Sequence, residues 1–252
     1  FAGLEPGGTA LLNADHAQLD VLIGEAGTAG VSNIVTYGEA PGADWRIVAI
    51  EATADGSTAT IEHEGERHAL VIGVPGRHMV ANATAALAAA YLAGIEPGVA
   101  LRALASFGAQ PGRGQRILLG PPERPLLLID ESYNANTASM AAALDVFAGQ
   151  RAPSGRKMLI LGDMLELGPQ SRSLHSSLVP AVAASGAERV YLVGSSMAAL
   201  AAALGPTLVA AHTQTAGEMA KIVLGDLAYG DAVMIKGSNG VGLAGIVEQI
   251  RK

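Results

Sequence analysis

The chain contains no cysteine, and this absence excludes disulfides, thiolate metal sites and thiol catalysis. Aromatic residues make up only 4% of the sequence and charged residues only 15%, whereas half of the residues are hydrophobic. This composition favours helices packed closely on a sheet over a β-sandwich. With 252 residues, the chain is long enough for one large or two ordinary domains.

Basic residues are outnumbered by acidic ones, and the formal net charge is −7. Nucleic-acid-binding domains need a basic surface, so we expect no nucleic-acid partner. No apolar run reaches the roughly 18 residues of a membrane span, and residues 1–16 lack the basic segment of a signal peptide. We therefore expect a cytoplasmic protein, and a monomer. Because the chain opens on Phe1, without an initiator methionine, we expect it to be part of a longer protein.

Several common catalytic motifs are also absent. The sequence has no G-x-x-x-x-G-K-[ST] phosphate loop and no G-x-G-x-x-G pattern after a predicted strand. It has no H-E-x-x-H zinc motif and no G-x-S-x-G nucleophile elbow. The chain by itself is therefore not expected to turn over ATP.

Hydrophobic periodicity predicts two kinds of organisation, separated by a segment rich in glycine and proline at 109–116, which we interpret as a linker or hinge. Before it, we expect strands at 9–12 and 33–37, a helix at 17–29, an antiparallel meander over 45–73, and helices at 80–93 and 97–107. After it, strands at 126–129, 157–161, 189–193, 207–211 and 232–236 alternate with helices at 139–149, 172–185, 197–204, 216–227 and 242–251. This alternation predicts a doubly wound α/β domain with a mostly parallel sheet.

The run LIDESYNAN at 128–136 is the strongest functional signal. Asp130 and Glu131 follow four apolar residues of a predicted buried strand, and a hydroxyl, a phenol and two carboxamides come next. Ligands of parallel α/β folds bind at the carboxyl ends of strands, and buried polar groups need partners. The alternative is a capped turn before a helix that starts near Ser139.

Four weaker signals lie at predicted strand ends, at helix starts or in the linker. His78 and Asn82 are spaced to share one face of a predicted helix. The Asn82 carboxamide has the donor and the acceptor needed to bind the edge of an adenine base. The alternative is that both residues cap a buried helix. Arg113 and Arg116 suit a phosphate or are solvated. Asp163 and Glu166, in the run LGDMLELG at 161–168, could bind an ammonium group. The alternative is that they cap a helix. Lys236, in IKGSNG, suits an anion or is a charge at a sheet edge.

Taken together, these segments resemble the Mur ligase family. The segments that carry the resemblance occur in the family's order along the whole chain: LLNADH, GRHMVANATAALAAA, GRGQR, LIDESYNAN, LGDMLELG with the later His175, and IKGS. LIDESYNAN and LGDMLELG are typical of the branch that adds D-alanyl-D-alanine to UDP-N-acetylmuramoyl-tripeptide in peptidoglycan precursor synthesis.

The resemblance implies a fold and a reaction. Residues 1–112 would be the last part of a central ATPase domain, and residues 113–252 a C-terminal Rossmann-like ligase domain. ATP would phosphorylate the tripeptide carboxylate, and the amine of D-alanyl-D-alanine would attack the resulting acyl phosphate. Mg²⁺ would be held mostly by residues outside this chain. The alternatives are a different amino-acid ligase of the same superfamily, or a non-catalytic nucleotide-binding module.

The resemblance also implies roles for particular residues. Asn82 would face the adenine, Arg116 would reach the phosphates or ribose, and Glu131 stands where the family usually has a ribose-binding aspartate. The other residues expected on the nucleotide side are Asp130, His78 and Tyr133. Those expected around the acceptor are Ser132, Asn134, Asn136, Asp163, Glu166, His175 and Lys236.

Overall fold

The computed structural model describes residues 1–252 and divides the chain into two compact units, residues 1–108 and 109–252. The division falls between Gly108 and Ala109, four residues before the domain boundary expected from the sequence. No helix is both long and apolar enough to cross a membrane.

The first unit contains a five-stranded sheet with the order β1-β2-β3-β4-β5. Its elements are β1 (Thr9–Asn13), α1 (Leu19–Thr28), β2 (Asn33–Gly38), β3 (Trp45–Ala52), β4 (Ser57–His63), β5 (Glu66–Ile72), α2 (Arg77–Leu92) and α3 (Pro97–Ala105). Strands β1 to β3 are parallel, and β3 to β5 are antiparallel. The predicted meander is therefore confirmed.

Helix α2 packs against this sheet through residues spaced three or four apart, which include Val80, Thr84 and Leu87. The helix begins at Arg77, three residues earlier than predicted. Gly76 is its N-cap, with a φ of 114° that favours glycine. His78 and Asn82 consequently lie within the helix rather than cap it.

The second unit contains a six-stranded sheet with the order β10-β9-β8-β11-β7-β6. Its elements are β6 (Gln115–Leu119), β7 (Leu126–Glu131), α4 (Thr137–Ala148), β8 (Lys157–Gly162), α5 (Ser171–Ser176), α6 (Val179–Ala184), β9 (Arg189–Val193), α7 (Ala198–Leu204), β10 (Val209–Thr213), α8 (Ala216–Asp226), β11 (Ala232–Lys236) and α9 (Ala244–Ile250). All pairings are parallel except β6 with β7. The predicted doubly wound, mostly parallel sheet is confirmed.

Four strands of the second unit, β7, β8, β9 and β11, are buried on both faces, which explains their continuous apolar runs. Alternate residues of these four strands enter two separate cores, one under α4, α6 and α7 and the other under α8 and α9. Leu128 and Ile129 of β7, for example, lie in different cores. This three-layer packing fixes the carboxyl ends of the strands.

Two predictions for this unit were wrong. Strand β6 was not expected, because Gln115–Leu119 shows no alternation and adjoins a glycine-rich segment. The single helix predicted over 172–185 is two helices, α5 and α6. Pro180 lacks an N–H and therefore cannot continue the hydrogen bonds of α5, but it is tolerated in the first turn of α6.

An ionic cluster lies at the amino ends of the strands, where β8 and β11 begin. The Arg156 guanidinium donates to Asp231 Oδ2 at 2.8 Å and to Asp226 Oδ1 at 3.1 Å. Asp231, which is buried, also accepts from the backbone N–H groups of Arg156 and Ala228. The cluster stabilises the end of the sheet opposite to the carboxyl ends of the strands.

We expect Asp231→Ala to lower the free energy of unfolding at pH 7 by about 3 kcal/mol, as for a broken buried ion pair. Burial alone would raise the pKa of Asp231, but hydrogen bonds from Arg156 and Ala228 outweigh it and hold the pKa below its ordinary value. The contribution is therefore complete above about pH 4 and is lost as the pH falls further.

Urea denaturation of the wild type and the variant at pH 7 and pH 3 measures this effect. The difference between them should shrink at pH 3. Asp145→Ala, an exposed change on α4, is the matched control. An equal difference at both pH values would show that the ionised carboxylate is not what stabilises this edge.

Candidate functional site

Three polar segments meet at the carboxyl edge of the second sheet. Lys236, the last residue of β11, pairs in register with Glu131 of β7 on one side and with Leu161 of β8 on the other. The loops that follow these three strands therefore lie side by side. They enclose a cleft of about 520 Å³ lined by Tyr133, Asn134, Ala135, Asn136, Leu165, Glu166, Leu167, Ser238, Asn239 and Gly240.

Lys236 does not line this cleft. Its side chain is 4% exposed, and Nζ donates to Glu131 Oε2 at 3.3 Å and to the Asn134 carbonyl oxygen at 3.0 Å. A buried ammonium group needs such acceptors, because its desolvation is costly. The sequence-based expectation that Lys236 contacts the acceptor substrate would require its ammonium group to break the hydrogen bonds to Glu131 and Asn134.

Glu131 is the partly exposed member of this pair, with a side-chain exposure of 22%. Burial raises its pKa, and the charge and hydrogen bond of Lys236 partly oppose that rise. Asp130 also raises the pKa, and Arg113 lowers it. The carboxylate therefore combines a fixed position with some access to solvent, which suits it to accept hydrogen bonds from a ligand.

Asp130 and Ser132, on either side of Glu131, are buried and satisfied within the protein. Asp130 Oδ1 accepts from the Ser132 backbone N–H and from Ser132 Oγ, and Oδ2 accepts from the Gly112 N–H at 2.9 Å. Gly112 has a φ of 74°, and a Cβ there would lie 2.9 Å from Tyr133 Cβ. Asp130 thus ties the 109–114 segment to the end of β7, and its expected nucleotide contact would break these bonds.

Asp163, which follows β8, also joins neighbouring segments by accepting backbone hydrogen bonds. Its carboxylate accepts from the N–H groups of Ser196 at 3.1 Å and Met197 at 2.8 Å, at the start of α7. Gly194 packs so close that a Cβ would lie 2.3 Å from Asp163 Cγ. Asp163 is buried and does not line the cleft, so the capping interpretation fits it better than an acceptor contact.

His175 is completely buried. Its Nε2 accepts from the Met164 N–H at 3.0 Å, and its Nδ1 lies 2.7 Å from the Ser171 carbonyl oxygen. One ring nitrogen must therefore accept and the other donate, which requires a neutral imidazole. Asp163 Oδ1 lies 3.9 Å from Nε2 but forms no hydrogen bond with it. His175 fixes the loop after β8 rather than contacting a ligand.

Two asparagines face the cleft with defined orientation. Asn136 is the N-cap of α4, where its Oδ1 accepts from the Ser139 N–H at 2.8 Å. Asn134 Oδ1 accepts from the Ala135 N–H at 2.8 Å. Because both oxygens are occupied, each carboxamide has its NH₂ group left to donate. The capped turn considered for this run is present, and it coexists with cleft-lining side chains.

Glu166 lies across the cleft from these asparagines, on the loop after β8. Its side chain is exposed and forms no hydrogen bond or ion pair in the described chain. Its φ of 63° is unusual for a residue other than glycine. The other such residue, Glu64, lies in the hairpin turn between β4 and β5, whereas no hairpin explains Glu166.

Ser238 is a site residue that the sequence did not single out. It is buried, and its Oγ accepts from the Leu165 N–H at 3.0 Å and donates to the Ala135 carbonyl oxygen at 3.3 Å. In the run IKGSNG, only the lysine attracts attention in the sequence. The signal for Ser238 is its position two residues after the end of a strand, where a hydroxyl can join neighbouring loops.

The remaining candidates lie at three places. Tyr133 is half exposed on the cleft, and the Arg113 guanidinium stacks on its ring at 4.1 Å from the centroid. Arg116 lies within β6, where burial lowers its pKa. His78 and Asn82 belong to the first unit, exposed on α2, with Asn82 Nδ2 4.0 Å from Met79 Sδ.

The chain does not bring together a cluster of side chains that could hold a metal ion by itself. The described chain contains no group of three or more histidine, cysteine, aspartate and glutamate side chains that could hold a metal ion. Asp130 and Asp163, the buried carboxylates nearest the edge, already accept backbone hydrogen bonds.

Two family models match the chain. Residues 112–239 match the Mur ligase glutamate ligase domain, and residues 1–90 match the Mur ligase middle domain. The chain belongs to the Mur ligase family.

Individual relatives agree with this assignment. The UDP-N-acetylmuramoyl-tripeptide--D-alanyl-D-alanine ligase of Escherichia coli is 33% identical over 81% of this chain and 44% of its own length. The Bacillus subtilis ligase of the same name is 29% identical over 85% of this chain and 46% of its own length. The chain thus spans about half the length of these relatives.

Solved structures show the same fold. A crystal structure of MurF from Acinetobacter baumannii has a TM-score of 0.82 and 25% identity, and the match covers 98% of this chain and 52% of that one. The MurF ligase of Thermotoga maritima, in complex with ADP, has a TM-score of 0.76 at 19% identity, covering 97% of this chain and 53% of that one. The latter similarity concerns the fold alone.

Proposed function

We propose that this chain forms part of an ATP-dependent ligase that joins D-alanyl-D-alanine to UDP-N-acetylmuramoyl-tripeptide in peptidoglycan precursor synthesis. The observation that carries the proposal is the cleft at the carboxyl edge of the second sheet. It is built from LIDESYNAN, LGDMLELG and IKGSNG, and the relatives that match most of this chain bear the name of that ligase.

The proposed reaction has two steps. The terminal phosphoryl group of ATP is transferred to the tripeptide carboxylate, which gives an acyl phosphate and ADP. The free amine of D-alanyl-D-alanine then attacks the acyl carbon, loses a proton and displaces inorganic phosphate. Such chemistry relies mainly on positioning and on neutralising charge.

On the nucleotide side, we propose that Glu131 accepts hydrogen bonds from the ribose hydroxyls. It is the one acidic residue of the LIDES run that remains partly exposed, because Asp130 is occupied by backbone donors. In the first unit, Asn82 is exposed on α2 and has the donor and acceptor that an adenine edge requires. Arg113 and Arg116 supply positive charge near the start of the second unit.

On the acceptor side, the cleft has an acceptor at one wall and donors at the other. Glu166 has a carboxylate without a protein partner, and Asn134 and Asn136 present NH₂ groups. No lysine or arginine lines the cleft. We propose that Glu166 binds the ammonium group of the dipeptide and that the two carboxamides bind its carboxylate.

Binding of modified dipeptides tests this orientation. We expect Glu166→Gln to weaken binding of D-alanyl-D-alanine about tenfold, as for a lost hydrogen bond to a charged group. The same change should leave binding of N-acetyl-D-alanyl-D-alanine, which has no ammonium group, nearly unchanged. Isothermal titration with Glu248→Gln, an exposed change on α9, as control would measure both. Equal losses for the two ligands would contradict the orientation.

The reaction itself is tested with the complete gene product, ATP, the tripeptide precursor and D-alanyl-D-alanine. Phosphate release and a product heavier by the dipeptide are expected only when all three are present. Nucleotide binding without turnover would favour a non-catalytic module, and turnover with a different amino acid would favour another ligase of the superfamily. Because ATP is the proposed phosphoryl donor, we also propose a cytoplasmic location.

A further inference from the structure

Lys236 is the most deeply buried cation at the carboxyl edge of the sheet. It lies at the end of the central strand β11, 3% exposed, with β7 on one side and β8 on the other. Its two hydrogen-bond partners belong to different parts of the proposed site. Glu131 is the proposed ribose ligand, and the Asn134 carbonyl belongs to the loop that lines the cleft.

We propose that Lys236 is a positioning residue that orients the Glu131 carboxylate and the Asn134 loop with one ammonium group, and that it does not itself bind a substrate. The role of Glu131 in this statement rests on the proposed function. The contacts on which it stands are within the second unit.

Burial is the first argument. An ammonium group with 4% side-chain exposure offers almost no surface to a ligand, and its donors are aimed at two protein oxygens. Recruiting it to a substrate would deprive both the Glu131 carboxylate and the Asn134 carbonyl of this donor, which opposes such a movement.

Strand geometry is the second argument. Lys236 and Glu131 are register partners on adjacent parallel strands, so their backbones are held by the sheet and only the side chains remain to be fixed. Two residues further on, Ser238 joins the same loop, at Ala135, to Leu165 on the loop after β8. The end of β11 therefore holds both sides of the cleft at once.

The charges around Glu131 agree with this arrangement. Lys236, Asp130 and Arg113 are the charged groups that act on it. Burial raises the pKa of Glu131, and Lys236 is the main opposing influence. Without Lys236, burial and Asp130 would favour the protonated carboxyl, which is a poorer hydrogen-bond acceptor.

The first experiment needs no activity. With ¹³C-labelled glutamate carboxyls in the 252-residue chain, the Glu131 signal is assigned by its loss in Glu131→Gln. Lys236→Met should move the titration midpoint of Glu131 upward by about one to three pH units, the usual effect of an opposite charge. Lys221→Met, an exposed change on α8, should leave it in place. An unchanged midpoint in Lys236→Met would overturn the proposal.

Two further variants keep the test decisive if Lys236→Met does not fold. Lys236→Gln keeps a donor for the Asn134 carbonyl but removes the charge, so the same upward shift is expected. Lys236→Arg keeps the charge, and the midpoint should stay near that of the wild type.

The second experiment is a double-mutant cycle on the apparent KM for ATP, in the complete gene product. We expect Lys236→Met to raise this KM about tenfold and to add almost nothing in a Glu131→Gln background, because both changes remove the same interaction. The acid limb of the pH profile should move upward in the single Lys236 variant. Additive effects on the KM would show that Lys236 acts on the substrate directly.

The two experiments separate two kinds of failure. If the wild type has no ATP-dependent activity, the proposed function fails, while the carboxyl titration still decides whether Lys236 positions Glu131. If activity is present and the midpoint does not move, the positioning role fails and the proposed function stands.

Discussion

Replacing Glu131 with alanine is expected to raise the apparent KM for ATP roughly ten- to hundredfold, the effect of losing hydrogen bonds to a charged acceptor. The KM for D-alanyl-D-alanine should change much less, because Glu131 does not line the cleft. Steady-state kinetics of the complete gene product would measure both. Glu123→Ala, an exposed change in the turn between β6 and β7, is the matched control.

The pH dependence of this effect has a defined sign. Because burial raises the pKa of Glu131, its ionised form is lost at a higher pH than that of an exposed glutamate. The KM of the wild type for ATP should therefore rise as the solution is acidified, and that of Glu131→Ala should respond less. If the alanine variant binds ATP as the wild type does, Glu131 is only a partner for Lys236.

Much of the fold could be predicted because hydrophobic periodicity is strong in both units. The apolar runs of β7, β8, β9 and β11 are continuous, as strands buried on both faces require. Strand β6 could not be recognised in the same way. It is an edge strand, Leu118 is 65% exposed, and its pairing with β7 depends on residues distant in sequence.

The site was predictable to a lesser degree. The sequence placed Glu131 and Lys236 each at the end of a predicted strand, and the structure pairs the two residues in register. The sequence did not show where each side chain finds its partner. Asp163 and His175 have the residue types of a ligand-binding site, yet backbone N–H groups of neighbouring loops occupy them. Only the folded arrangement brings those donors within reach.

The same limitation applies to the segment at 109–116, which the sequence predicts to be a linker or hinge. The structure joins this segment to the second unit by hydrogen bonds. The N–H of Gly112 donates to Asp130 Oδ2, the N–H of Gly114 donates to the Asp130 carbonyl, and the N–H of Tyr133 donates to the Gly112 carbonyl. Flexible glycines are used here for close approach rather than for mobility.

We therefore expect a fragment of residues 109–252 to unfold cooperatively and a fragment of residues 117–252 to lose this behaviour. The shorter fragment lacks Gly112, which is a partner of the buried Asp130, and the first two residues of β6, so the end of β7 loses its partners on one side. Asp130 keeps its Ser132 donors in the shorter fragment but loses the Gly112 donor, and a lost hydrogen bond to a charged group costs about 1.5–3 kcal/mol. Together with the lost pairing of β6, this is a sizeable share of the roughly 5–15 kcal/mol that stabilises a typical domain. Circular dichroism melts of the two fragments, with Asp130→Asn in the longer one as an intermediate case, would measure the difference. Equal cooperative melts would mean that residues 109–116 are dispensable for the second unit and would restore the linker interpretation.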